Sequence, residues 1–280
     1  MTDSNNNTGH PIHLHPWATL IQIHPTGKDE GVICGGTLIT KKHVASAAHC
    51  FQQKFLDTSN GGHKRYCDAD AKYSEEEIIR RTTLTIGAIC TNLDKDVGCT
   101  YKEQLGRQYR IKNMLFADFY KNNCVNGDDI VIIELDQEID ESTVSNYACL
   151  PFEIEEVKDN STVTSFGWGT DPGKAYDKKP YPFLQTVSLT KSSHAECKSS
   201  RGGVIPSDSF CTVEEEDKNV CAGDSGGGLM RQYKKQHYIS AIISYGTDCS
   251  QLIKGVTPKN QVNTSIRYHQ KLITDFINKK

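Results

Sequence analysis

No apolar stretch in the 280 residues approaches the roughly 20 needed to cross a bilayer as a helix. No basic block occurs either. Lys and Arg total 32 against 35 Asp and Glu, a net charge of −3, which argues against a dedicated nucleic-acid or membrane-surface binder. Internal repeats, low-complexity tracts and clean linkers are absent, and apolar runs such as Ile130-Val131-Ile132-Ile133 exclude a disordered chain. The first 27 residues contain no Lys or Arg. They also lack the apolar run of about 7–15 residues that a signal peptide needs.

Cysteine, by contrast, is plentiful. Eleven in 280 is about 4%, too sparse to replace a core by disulfides but richer than a reducing compartment usually tolerates. An oxidising address follows, supported weakly by Asn-x-Ser/Thr sequons at Asn6, Asn160 and Asn263. Such an address without a leader implies that the given start is incomplete, that the chain is a processed form, or that the protein is not exported.

The length fits one large β domain or two ordinary ones. Short apolar segments recur between Gly, Asn and Asp: 19–23, 36–39, 84–86, 130–135, 162–166, 184–189, 228–230 and 238–243. That rhythm reads as an all-β barrel or sandwich. Ser74-Glu75-Glu76-Glu77 is a capping-box helix start. Leu272, Ile273, Phe276 and Ile277 share one face of an amphipathic closing helix within 268–280.

Three short motifs carry chemistry: Ser46-Ala47-Ala48-His49-Cys50, Asp128-Asp129-Ile130 and Gly223-Asp224-Ser225-Gly226-Gly227. A serine hydroxyl near neutral pH needs a base within hydrogen-bond reach, and that base needs an acceptor to fix its tautomer. Glycines flanking a serine let the chain turn tightly, so that consecutive N–H groups can face a developing oxyanion. In His…Asp…Ser order, with Cys34-Gly35-Gly36-Thr37-Leu38-Ile39, Gly167-Trp168-Gly169 and Ser244-Tyr245-Gly246, the chain resembles the chymotrypsin-like serine proteases of the trypsin family. The resemblance runs from His15 to the C-terminus.

It implies two packed six-stranded antiparallel β-barrels with a C-terminal α-helix, and an active site between the barrels. Residues 1–14 would be an N-terminal arm belonging to an incomplete propeptide region. Residues 15–280 would be the protease domain, its halves meeting near 150–160. His49 would be general base and acid, Asp129 rather than Asp128 its orienter, and Ser225 the nucleophile. Gly223 and Ser225 would supply the oxyanion hole. Implied bridges are Cys34–Cys50, Cys197–Cys211 and Cys221–Cys249. Five cysteines remain; Cys90–Cys99 and Cys67–Cys124 are the favoured pairs, and Cys149 would pair with an upstream propeptide cysteine.

Substrate would be bound by Asn219, Val220, Ser244, Tyr245 and Gly246. Asn219 stands where arginine-cleaving relatives carry aspartate, so a strict Arg/Lys preference is not expected. The third pocket wall is either Gly255 or Gln261. No cofactor or metal is implied; Asp94, Asp96 and Glu103, and likewise His10, His13 and His15, read as solvated surface, the histidines as an irregular arm. Implied partners are protein or peptide substrates and protein protease inhibitors, with no nucleic acid or membrane, for a secreted monomer.

One feature departs from the family. Its members are activated when a new apolar N-terminus pairs with the aspartate before the serine, here Asp224 as activation partner. The matching position holds Ser4-Asn5-Asn6-Asn7, without a preceding Lys or Arg. The alternative is therefore a catalytically silent protease-fold binding or regulatory protein. Reaction with a serine-directed fluorophosphonate separates the two.

Overall fold

The computed structural model describes residues 15–25, 31–52, 55–57, 62–64, 72–92, 99–122, 124, 126–140, 146–171 and 182–279. The first half comprises β1 (Ala18–Ile23), β2 (Val32–Leu38), β3 (His43–Ser46), a small hairpin of β4 (Phe55–Asp57) and β5 (Gly62–Lys64), and helix α1 (Glu75–Arg81). β6 (Thr82–Ile86), β7 (Arg107–Tyr109), β8 (Ile111–Phe116) and β9 (Val131–Leu135) follow. The main sheet runs β7-β6-β1-β2-β3-β9-β8, antiparallel wherever strands pair. Its two edges, β7 and β8, are separated only by Arg110. One bent stretch of chain thus closes the sheet on itself, giving a barrel of six spans whose seventh strand arises from the break. Closure covers the two edges of this sheet.

The second half comprises β10 (Thr162–Gly167), β11 (Gln185–Thr190), helix α2 (His194–Ser200), β12 (Ser209–Val213), β13 (Gly228–Tyr233), β14 (Gln236–Tyr245), helix α3 (Cys249–Ile253) and β15 (Asn260–Ser265). Its six strands run β11-β10-β13-β14-β15-β12, and a bridge between Lys191 and Thr212 joins the outer pair. Val163, Val187, Leu189, Leu229, Ala241 and Ile243 fill this barrel. The larger core is continuous across the molecule, from Ile21, Leu38 and Ile132 to Phe166, Trp168 and Ile242. Helix α4 (Gln270–Ile277) buries Ile273 and Phe276 in it, with Leu272 and Ile277 packed alongside.

Helix α1 opens as its sequence predicts. The Ser74 hydroxyl accepts from Glu77 N, and the Glu77 carboxylate accepts from Ser74 N, both at 3.3 Å. Two other expectations need correction. The Asn263 sequon lies inside β15, where its amide donates to Phe210 O (2.9 Å) and Thr212, so the folded chain cannot present it for glycosylation. Asn160 is exposed, and Asn6 lies outside the described residues.

His15 is also not a surface residue; His10 and His13 lie outside the described residues. His15 is buried, its ring stacks on Phe166 with centroids 5.1 Å apart, and Nε2 lies 3.0 Å from Thr186 Oγ1. It therefore ties the first described residue to β10 and β11. Burial, aided by nearby His237, lowers its pKa to about 4. The neutral ring is the native form, so below pH 6.5 the unfolded chain binds the proton that the folded chain refuses. Stability present above pH 6.5 is lost as pH falls toward 4, by about 2–3 kcal/mol from this group. Urea midpoints at pH 7 and pH 4.5 should differ less for His15→Phe than for the wild type; an unchanged difference would mean that His15 is not the titrating group.

Candidate active site

β3 ends at Ser46, and one 3-10 turn (Ala48–Phe51) then carries His49. A disulfide from Cys50 to Cys34 on β2 fixes that turn. Tyr120, buried, donates from its hydroxyl to Ala48 O at 2.6 Å and holds the turn from the other side.

Asp129, the second residue before β9, meets His49 twice. His49 N donates to Asp129 Oδ1 at 2.8 Å, and His49 Nδ1 lies 2.7 Å from Asp129 Oδ2. Ser244 Oγ donates to the same Oδ2. Burial alone would raise the Asp129 carboxyl, which is 3% exposed; the His49 charge and these three hydrogen bonds outweigh it and hold the pKa below the ordinary carboxylate value. Asp129 is therefore an anion at neutral pH, aimed at one ring nitrogen. Asp128 engages Asn122 instead (2.6 Å).

Ser225 sits at the junction of the barrels. Its carbonyl accepts from Gly35 N of β2 at 2.7 Å. Next to it, Gly226 N donates to Ile243 O of β14, and the Ile243 N–H returns to Gly227 O. The loop is thus stitched to both barrels. Gly226 has φ +84°, and a Cβ there would fall 2.2 Å from Ser46 Oγ and 2.4 Å from Gly35 O, so only glycine fits. No described residue accepts a backbone hydrogen bond from the N–H of Gly223 or Ser225.

Asp224 is fully buried. Gly169 N and Cys221 N donate to its two carboxylate oxygens at 2.8 and 2.9 Å. A Cβ at Gly167 or Gly169 would lie 2.3–2.4 Å from that carboxylate, which explains the Gly-Trp-Gly sequence physically. Burial raises the Asp224 pKa, and among the described residues no basic side chain forms an ion pair with it. Residues 4–7, where the sequence locates the departure from the family, lie outside the described residues.

At the expected primary pocket, Asn219 is buried; its Oδ1 accepts from Val220 N while Nδ2 has no partner among the described residues. Of the two candidates for the third wall, Gln261 and not Gly255 lies beside Gly246. The register pairs Tyr245 with Val262 and so sets Gln261 beside Gly246, where its Cγ lies 2.6 Å from the site of a Cβ. Its Nε2 donates to Val220 O at 3.0 Å. Gly255 instead ends the turn after α3, with φ +83° and open space around it. Tyr245 is exposed, and a cavity of about 280 Å³ runs beside His49, lined also by Gln52, Phe119, Ser244 and Tyr245.

Sequence reasoning missed Glu214 and Arg201, which brace this wall. The Glu214 carboxylate, without exposed surface, accepts from Arg201 Nη2 (2.7 Å), Thr247 N (2.7 Å) and Lys259 N (2.8 Å). Nothing in Glu214-Glu215-Glu216-Asp217 distinguishes the first acid from solvated neighbours. Bridges also join Cys90 to Cys99, Cys197 to Cys211 and Cys221 to Cys249. Cys124 is disulfide-bonded, Cys149 is a free thiol, and Cys67 lies outside the described residues. So do Asp94 and Asp96. A single cluster of described residues, Asp128, Asp208 and His269, gathers potential ligand atoms within 4.8 Å, but Asp208 Oδ2 is already engaged by His269 Nε2 and Asp128 N, and the Asp128 carboxylate by Asn122.

A family profile described as Trypsin matches residues 5–266, nearly the whole chain. The chain belongs to the trypsin family. As a trypsin-family protein it is a serine-type endopeptidase, a hydrolase that takes protein or peptide substrates. It is 48% identical to the trypsin-like protease try-5 of Caenorhabditis elegans, over 99% of this chain and 88% of that one. CLIP domain-containing serine protease B9 of Anopheles gambiae is 26% identical over 85% of this chain, and phenoloxidase-activating factor 1 of Holotrichia diomphalia 25% over 84%. The matches cover 55% and 60% of those two longer relatives.

Proposed function

We propose that His49, Asp129 and Ser225 are the catalytic triad and cleave peptide bonds through an acyl-enzyme. The observation that carries this is the two-point hold of Asp129 on His49, which leaves Nε2 as the ring's working nitrogen. Ser225 Oγ attacks the scissile carbonyl carbon while its proton passes to His49 Nε2. The oxyanion is received by the N–H groups of Gly223 and Ser225. The tetrahedral adduct collapses, His49 gives the proton to the leaving amine, and an ester on Ser225 remains. Water then repeats the sequence, with His49 as base, and frees the acid.

Asn219, Val220, Ser244, Tyr245 and Gly246 bind the substrate chain, and Asp224 anchors the oxyanion loop. Asn219 offers no charge to a desolvated guanidinium, and Gln261 crosses the space in front of Gly246. The primary pocket is therefore shallow, polar and uncharged, suited to small or neutral side chains. The enzyme works as a secreted monomer without a cofactor, open to protein protease inhibitors.

A fluorophosphonate probe should label the wild type and leave Ser225→Ala unlabelled. Peptide-library cleavage should show no selection for arginine or lysine at the cleaved residue. Absence of labelling in folded wild type would favour the silent-scaffold reading, and strong arginine selection would overturn the pocket assignment.

A further inference from the structure

The turn that delivers Asp129 is conformationally costly. Gly127 has φ +91° and Asp128 φ +61°, the second in a region that side chains rarely enter. Such a turn persists only if its surroundings over-determine it. None of the His49 and Ser244 contacts does this, because they all fall on the Asp129 side chain.

The restraint comes from the other barrel. Asp128 N donates to Oδ2 of Asp208, the residue before β12, at 2.8 Å. Asp208 Oδ1 lies where a Cβ on Gly127 would fall, 2.3 Å from it, so the carboxylate rests directly on the turn. The same Oδ2 lies 2.9 Å from Nε2 of His269, the residue before α4. Asp208 O accepts from Ser265 N at the end of β15, and Asn122 Nδ2 donates to the Asp128 carboxylate. Asp208 and His269 are 4% and 6% exposed. One buried carboxylate thus joins both barrels and the C-terminal helix at the residue next to Asp129.

A buried charge is a poor way to gain stability, since apolar residues of similar volume usually do as well. Charged hydrogen bonds do fix geometry. We propose that Asp208 and His269 are positioning residues that set the reach of Asp129 onto His49. The proposal rests on the reading of those two residues as orienter and base.

With peptide substrate, Asp208→Ala and His269→Ala should lower kcat about 10–100-fold while KM stays within about twofold. Asp208→Asn, whose amide oxygen can still accept from Asp128 N, and His269→Gln should recover most of the loss. The same four changes placed on Ser225→Ala allow a readout that needs no turnover. There the proton NMR signal of His49 Nδ1–H should shift or broaden with either alanine and keep its place with Asp208→Asn. Folded alanine variants with unchanged kcat and an unchanged His49 signal would overturn the clamp. Should Asp208→Ala fail to fold, His269→Ala and the two conservative variants decide by the same criteria. An inactive wild type would remove the triad reading, and the NMR comparison would still judge the clamp.

Discussion

Asp129→Asn is expected to reduce kcat by about 10⁴ at neutral pH while leaving the fold in place. The carboxylate now accepts from His49 N, from Ser244 and from the ring at Nδ1. An amide has one acceptor oxygen and must place its NH₂ group against one of these donors. If that group meets Nδ1, the imidazole is driven to the tautomer with its proton on Nε2, and Ser225 faces a nitrogen that cannot take its proton. The charge that would stabilise the imidazolium is lost as well. Progress curves give the rate, and thermal unfolding should show a change of only a few degrees. A loss below tenfold would mean that the His49–Asp129 contact holds the barrel without serving the reaction.

How far this site could be read from sequence depends on how many side chains would satisfy each position. The proposed base, its orienter and a glycine-flanked nucleophile admit few substitutes, and their three motifs stood out without coordinates. The long β-branched run before Leu135 announced β9, and Ser74 with Glu77 announced α1. The same cap recurs at Ser193 and Glu196 and opens α2, a start that its spacing would have revealed. β15 was legible only through the family resemblance at Thr264-Ser265 and not in the hydrophobic pattern, because Asn260-Gln261-Val262-Asn263-Thr264-Ser265 is polar in sequence yet buried almost throughout. Its amides satisfy backbone inside the barrel, as Gln261 does with Val220 O and Asn263 with Phe210 O. Hydrophobic alternation carries no trace of that. The choice between Gly255 and Gln261 accordingly fell to strand register, and the clamp of Asp208 with His269 links positions 61 apart in sequence that no local motif connects.

The pocket wall offers the second large effect. Arg201→Ala should cost about 3–5 kcal/mol, because it leaves Glu214 a buried anion without its cation. Two backbone N–H groups, from Thr247 and Lys259, remain to it and cannot replace a guanidinium. Arg201 Nε also donates to Asn260 O, so the start of β15 loosens one residue from Gln261. The midpoint of thermal unfolding should fall by about 10 °C. Thr247 adjoins Gly246, so KM should rise several-fold at temperatures where the variant is folded, with kcat largely retained. Arg201→Met combined with Glu214→Leu should recover only part of the stability: neither charge is stranded, but the N–H groups of Thr247 and Lys259 lose their acceptor. If the single variant unfolds within about 1 °C of the wild type, water reaches Glu214 and the wall behind Gly246 is softer than its buried ion pair implies.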